Sequence, residues 1–228
     1  MAHRWGDSPT HDPLVVWVSG EPGRYRFPVA APICLAQNPE ADALLSSSPL
    51  ALLIGMVLDQ QIPLEWAFTG PLTIANRLGR DLDAADLSTR DPEALAKVFA
   101  TPPAVHRFPS SMAGRVQELC RIIVADYDGV PEHIWAGVKS GEELRKRIEA
   151  LPGFGRHKAR IFVALLGKQY GVRPRGWRAA AGDFGAAGSY LSVADIVDTA
   201  SLTKVRDHKK QMKALAKSAE PPPKAPTR

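Results

Sequence analysis

The sequence predicts an all-α fold made of many short helices. Three observations carry that prediction. Helix-start signals recur, each a capping residue followed at once by proline, as in "NPE", "SPL" and "DPE". Apolar residues then return at intervals of three and four, the spacing of one helical face. No two alternating apolar–polar runs are joined by a hairpin turn signal, so no strand pair is expected.

Residues 1–28 are rich in proline, glycine and aromatics without a steady period, and read as an irregular N-terminal arm. Asn38 and Ser48 are N-caps with proline at the first helical position. The segment after Ser48, "PLALLIGMVLDQQ", is apolar nearly all round, which marks a core helix. The next helix begins near Pro63 and runs to Leu78, where Gly79 ends it. "RDPEALAKVFA" is a short helix capped by Asp91, and "TPPAVHRFP" is a loop. In "SSMAGRVQELCRIIVADY", Met112, Val116, Leu119, Ile122 and Ile123 share one face. "SGEELRKRIEAL" opens with Ser140 and Glu143, the pattern of a capping box, and ends at Pro152-Gly153. A further helix runs from Arg156 to about Tyr170 and stops at Gly171. "VRPRGWRAAAGDFGAAG" reads as a structured loop and "SVADIVDTA" as a short helix. "SLTKVRDHKKQMKALAKSA" is a basic, mostly polar helix, and "EPPPKAPTR" a disordered end. The expected organisation is an arm at 1–28, one helical domain at 29–202, and a basic helix with a tail at 203–228.

A chain of 228 residues with 45% apolar and 23% charged residues has the make-up of a globular protein with ample core. No apolar run reaches the ~18 residues of a membrane span. The first residues, "MAHRWGDSPTHDP", lack the apolar stretch of a secretory signal. The expectation is a cytoplasmic protein with no membrane partner. Its two cysteines, Cys34 and Cys120, cannot build a four-thiolate metal or iron–sulfur site. Its histidines form no closely spaced pair, so no transition-metal centre is expected.

The net charge of +5 is unevenly spread. Residues 203–228 hold eight Lys/Arg against two acids. Between Arg145 and Arg178 stand ten Lys/Arg against the single acid Glu149, a net of +9. Asp81 to Glu93 goes the other way, with five acids against Arg90. Such a basic stripe is either a phosphate-binding face or a solvated helix face neutralised by the fold.

The stripe contains "LPGFGRHKAR", Leu151 to Arg160. It reads as helix, tight turn, helix. Gly153 and Gly155 can take positive φ and let a ligand approach bare backbone. The helix that follows aims its unpaired N–H groups and positive dipole end at the same place. Backbone amides so arranged bind anions. The spacing suits either one DNA phosphate held without regard to sequence, with Phe154, Arg156, His157 and Lys158 beside it, or a plain helix–helix turn with glycines at the cap.

"LPGFGRHKARIFVALLG" resembles the helix-hairpin-helix of the base-excision DNA glycosylases, the superfamily of endonuclease III, the adenine glycosylase and the 3-methyladenine glycosylases. "LLIGMVLDQQIPLEWA" resembles that family's early helix, which ends in a glutamine-bearing turn. The resemblance covers about Asn38 to Asp198. It implies a helical fold with two lobes around a cleft, and a monomer that binds double-stranded DNA and flips a base. Gln60 and Gln61 match the side chains that fill the gap left in the duplex, where an amide can hydrogen-bond the orphaned base. The resemblance also implies a monovalent cation held by hairpin carbonyls, at Glu149, Leu151 and Phe154 by position. No cofactor is required.

Cleavage of a glycosidic bond needs a carboxylate near an oxocarbenium-like centre. The family keeps this aspartate just after the second hairpin helix. Here that span, "GKQYGVRPRGWRAAAGDFG", is cationic, and its first acid is Asp183, later than the pattern expects. Asp183 is either the catalyst on a longer loop or a turn former. Asp59, directly before Gln60-Gln61, is the second candidate, or else a helix-terminal acid. The family's Schiff-base lysine lies two residues past the second glycine, where this chain has His157. Lys158 is adjacent but ~100° away on the helix. Arg175 and Trp177 either meet nucleic acid or, for Trp177, fill the core. The expectation is a monofunctional DNA glycosylase. The alternative is a non-catalytic protein that recognises damaged or branched DNA.

Overall fold

The computed structural model describes residues 33–218, which are mostly helical and include no β-strand. The expected arm at 1–28 and the stretch "EPPPKAPTR" lie outside the described residues. Ten α-helices follow one another, joined by short turns and three 3₁₀ segments.

Local capping chemistry sets most of the boundaries. Helix α1, Pro39–Ser47, is capped by the Asn38 side chain, which accepts from Glu40 N and Ala41 N. Ser48 both ends α1 and caps α2, Pro49–Leu58, through Ala51 N. One extended residue thus turns the chain by 117° between the two helices. Every residue of α2 from Leu50 to Leu58 is buried, as its apolar circumference requires. No single helix among the described residues is long and apolar enough to cross a membrane.

Helix α3, Leu64–Leu78, ends on Gly79 in the left-handed conformation at φ 65°. Helix α4, Ala84–Thr89, was not expected from the sequence. Asp83 caps it, and Ala84 and Leu87 bury against α6. Helix α5, Pro92–Ala100, is capped by Asp91, whose carboxylate accepts from Ala94 N at 2.8 Å. Helix α6, Pro109–Asp126, buries Met112, Val116, Leu119 and Ile123 on the expected face.

Helix α7, Gly141–Glu149, has half of the expected capping box. Ser140 Oγ accepts from Glu143 N at 3.2 Å, but the Glu143 carboxylate accepts from Lys139 N rather than from the cap. Helix α8, Arg156–Lys168, follows a short turn. The span expected as a loop contains α9, Trp177–Ala181, and a 3₁₀ turn at Gly182–Gly185. "SVADIVDTA" forms only a three-residue 3₁₀ segment, Val193–Asp195, before α10, Thr199–Ser218. The expected boundary at residue 203 falls inside α10.

Helices α1 to α6 pack among themselves, and α7 to α9 pack with the 3₁₀ segments at 182–185 and 193–195. One apolar core is continuous through both groups. Trp177 belongs to this core. A Cβ built on Gly167 would lie 2.3 Å from its ring, and one on Gly141 would lie 2.4 Å from its Cα. Only glycine fits beneath it at either place.

Candidate nucleic-acid interface

Two turns far apart in sequence meet at one place. The first is the end of α2. Its last residue, Leu58, is followed by Asp59 at the C-cap, then Gln60, then Gln61 in the left-handed region at φ 57°. The second is the turn between α7 and α8. Gly153 stands at φ 82°, and Gly155 is extended at φ −80°. The sequence left both glycines free for positive φ; only Gly153 uses it.

The two glycines serve different needs. A Cβ on Gly153 would lie 3.2 Å from Arg115 Cδ and 3.5 Å from Val57, so this glycine faces inward to the end of α2. A Cβ on Gly155 would meet nothing within 4 Å, so its open side is solvent. Gly155 is the N-cap of α8 and offers no side chain to the first-turn amides. Those amides have no intrahelical acceptor. The exposed Arg156 and His157 flank them.

Lys158 does not point outward with its neighbours. Its ammonium donates to the Met56 carbonyl at 2.6 Å and to the Asp59 carbonyl at 3.3 Å. Burial pulls its pKa down to about 8, against the attraction of Asp59. It cross-links the hairpin to the carbonyl end of α2, where a cation is favoured by the helix dipole.

Asp59 is half-buried, and burial raises its pKa; Lys209 and Lys158 oppose that rise. Its position at a helix C-terminus acts in the same direction as burial. Asp183 sits in a different setting. It is exposed on the 3₁₀ turn at 182–185, and no hydrogen bond or ion pair involves its carboxylate among the described residues. The same turn covers the start of α8. Phe184 meets the His157 ring edge-on at 5.2 Å, and the Arg160 guanidinium lies against Gly182.

The two glutamines diverge as well. Gln60 Nε2 donates to the Val57 carbonyl at 2.7 Å, and Gln60 Oε1 accepts from Arg115 at 2.9 Å. His106 Nε2 donates to the Gln60 carbonyl at 2.8 Å, and its Nδ1 accepts from Phe108 N at 3.0 Å. These two partners fix the ring proton on Nε2. Gln60 is thus committed to its own turn, while Gln61 is exposed and projects.

Sequence reasoning missed Arg115, His106 and Phe108. Phe108 is 45% exposed, an unusual state for a phenylalanine, with the Arg107 guanidinium 4.8 Å from its ring centroid. It is also the uncapped N-cap of α6. The one local signal was "HRFP", an aromatic and a cation before a helix-starting proline.

Phe154, named with the DNA-binding set, is core. It is 3% exposed and its ring meets Phe162 at 5.5 Å, so only its main chain can reach a ligand. The Glu149 carboxylate pairs with Arg145, and the Leu151 carbonyl accepts from Phe154 N at 3.1 Å. No cluster of three His, Cys, Asp or Glu side chains suited to a metal exists among the described residues. A cation at this turn would therefore rest on main-chain carbonyls. Of the two cysteines, Cys120 is buried, which pushes its thiol up to about 12. Trp177 is packed and is no stacking platform.

The resulting face carries an open amide end flanked by Arg156 and His157, a projecting amide side chain, an exposed aromatic ring and a half-buried carboxylate. Comparison with protein-family models, with curated proteins and with solved structures yields no match.

Proposed function

We propose that this chain is a helix-hairpin-helix base-excision protein, a monofunctional DNA glycosylase that hydrolyses the N-glycosidic bond of a flipped, damaged base. The observation that carries this reading is the junction of the two turns. Lys158 ties the α8 turn to the α2 end, and Gly153 packs on Val57. A phosphate grip and a duplex-filling side chain then lie on one rigid face, as base flipping needs.

In this reading the open amides at Gly155 and Arg156 hold a backbone phosphate, with Arg156 and His157 beside it. Gln61 fills the vacated stack, and Phe108 stacks on the neighbouring base pair. Gln60 is a positioning residue that holds the turn. Asp59 takes the catalytic role in preference to Asp183, because it is desolvated and lies next to the turn. The N-glycosidic bond breaks with its electron pair leaving on the base. The Asp59 carboxylate faces the positive charge that develops on the sugar. It accepts a proton from the incoming water as the oxygen bonds to C1′, and the departing base takes up a proton. The protein acts as a monomer without a redox cofactor, and a hairpin cation is an accessory to phosphate binding.

One observation favours a second reading, a binding protein without catalysis. The span after α8 places Trp177 in the core and leaves its only acid, Asp183, exposed. A panel of single-lesion duplexes, scored for abasic sites after alkali, separates the two. The expected result is product with the wild-type chain and with Asp183→Asn, and none with Asp59→Asn. Product lost only in Asp183→Asn reverses the assignment. No product from any lesion supports the binding protein. Strand scission without alkali, trapped by borohydride, contradicts the monofunctional mechanism.

A further inference from the structure

Helix α10 has the composition of a solvated basic tail but not its placement. Its 20 residues span about 30 Å at the usual helical rise. Leu202 and Val205 are buried and anchor its first turns. Arg206 then forms an ion pair with Glu65 in the first turn of α3. Lys209 follows three residues on, on the face shared by Leu202, Val205 and Arg206. Lys209 acts on Asp59 together with Lys158, both drawing its carboxyl pKa down. The helix thus runs from the second group of helices to the 59–65 turn of the first.

We propose that α10 is the nucleic-acid contact on the Asp59 side of the interface, latched there by Arg206 and Glu65, with Lys209 meeting a backbone phosphate of the strand that carries the flipped nucleotide. This rests on the DNA-binding reading above. The observations agree on a position rather than on charge alone. Lys209, Lys210 and Lys213 are all exposed, and Asp207 is the only acid among residues 203–215. Lys213 continues the anchored face one turn further on, but of the three lysines only Lys209 acts on Asp59. The groups facing Asp59 are then Lys158 from α8 and Lys209 from α10, with Arg115 and His106 holding the adjacent Gln60. A phosphate arriving at Lys209 sets the strand against the carboxylate that acts on its sugar. The turn between α7 and α8 grips one phosphate, and α10 grips another beside Asp59 and Glu65.

Glu65 makes the idea testable, because two accounts of α10 predict opposite signs. If α10 only adds positive charge, Glu65→Gln removes an acid and tightens binding to DNA. If Glu65 latches α10 in place, the same change weakens binding, by roughly two- to fivefold for an exposed ion pair. The measurement is fluorescence anisotropy of the full chain with a short duplex carrying one abasic-site analogue, over a series of salt concentrations. We expect Glu65→Gln and Arg206→Gln each to weaken binding, and the double variant to be no worse than either single one. We expect Lys209→Gln to weaken binding more than Lys210→Gln or Lys213→Gln and to lower the salt slope by about one. Equal or tighter binding by Glu65→Gln, or equal losses at the three lysines, overturns the proposal. Failure of the underlying reading looks different. In that case the wild-type chain does not bind the duplex, or binding survives Gly153→Glu/Gly155→Glu.

Discussion

The Lys158 ammonium lies 2.6 Å from the Met56 carbonyl oxygen, a contact between residues 102 apart in sequence. It joins the first turn of α8 to the last turn of α2. A half-buried ammonium in that place is costly, and the depressed pKa records the cost. The proton is less tightly held in the folded chain, at about 8, than in an unfolded one, at about 10.5. Between those values the unfolded chain binds more protons, so the contribution of Lys158 to stability rises with pH. Urea denaturation of the wild-type chain and of Lys158→Met across pH 7 to 10.5 measures this. The difference in unfolding free energy, wild type minus variant, grows above pH 8. A difference that stays flat or falls contradicts the buried placement.

Gly153 and Gly155 separate folding from binding. Gly153→Ala forces a left-handed alanine, which costs roughly 1–2 kcal/mol, and brings its Cβ to 3.2 Å from Arg115. The loss appears in the denaturation midpoint. Gly155→Ala adds a methyl to open space on an extended residue, and leaves stability within about 0.5 kcal/mol. It stands beside the amide end of α8, so the expected loss is in duplex affinity. Equal effects of the two changes on both properties would falsify this division.

Gln60 and Gln61 divide in the same way. Gln60→Ala leaves Arg115 without its amide partner and costs about 1–2 kcal/mol of stability. Gln61→Gly removes a side chain held at φ 57° and leaves stability unchanged or raised by up to ~1 kcal/mol. Its affinity for an abasic duplex drops while that for an intact duplex holds. Thermal melts and parallel binding curves decide between these outcomes.

Much of the fold was legible because short-range chemistry wrote it. Asn38, Ser48, Asp91 and Ser140 each accept the amide hydrogen bond expected of an N-cap. Helix α4 was missed because six residues, three of them polar or charged, give no measurable period. Helix α9 was missed because its anchor, Trp177, is set by glycines at positions 141 and 167. The hairpin stood out because a single residue separates its glycines. Arg115 and His106 did not, since they reach Gln60 from 55 and 46 residues away, and Phe108 is tied to that turn only through His106. Nothing local marks a side chain whose partner is that distant. The same reason hid the inward turn of Lys158, which an outward-facing run of cations disguised.

Apart from the Arg115 bond to Gln60 Oε1, the bonds that shape the end of α2 fall on main-chain oxygens. Lys158 takes those of Met56 and Asp59, Gln60 takes that of Val57, and His106 takes that of Gln60. A carbonyl oxygen is the same in every amino acid. The form of this turn is therefore inherited through its distant donors more than through its own letters. Over evolutionary time Met56 and Val57 can drift among apolar residues of similar size while the turn persists. A change at position 106 or 158 erases its outline without altering one residue within it.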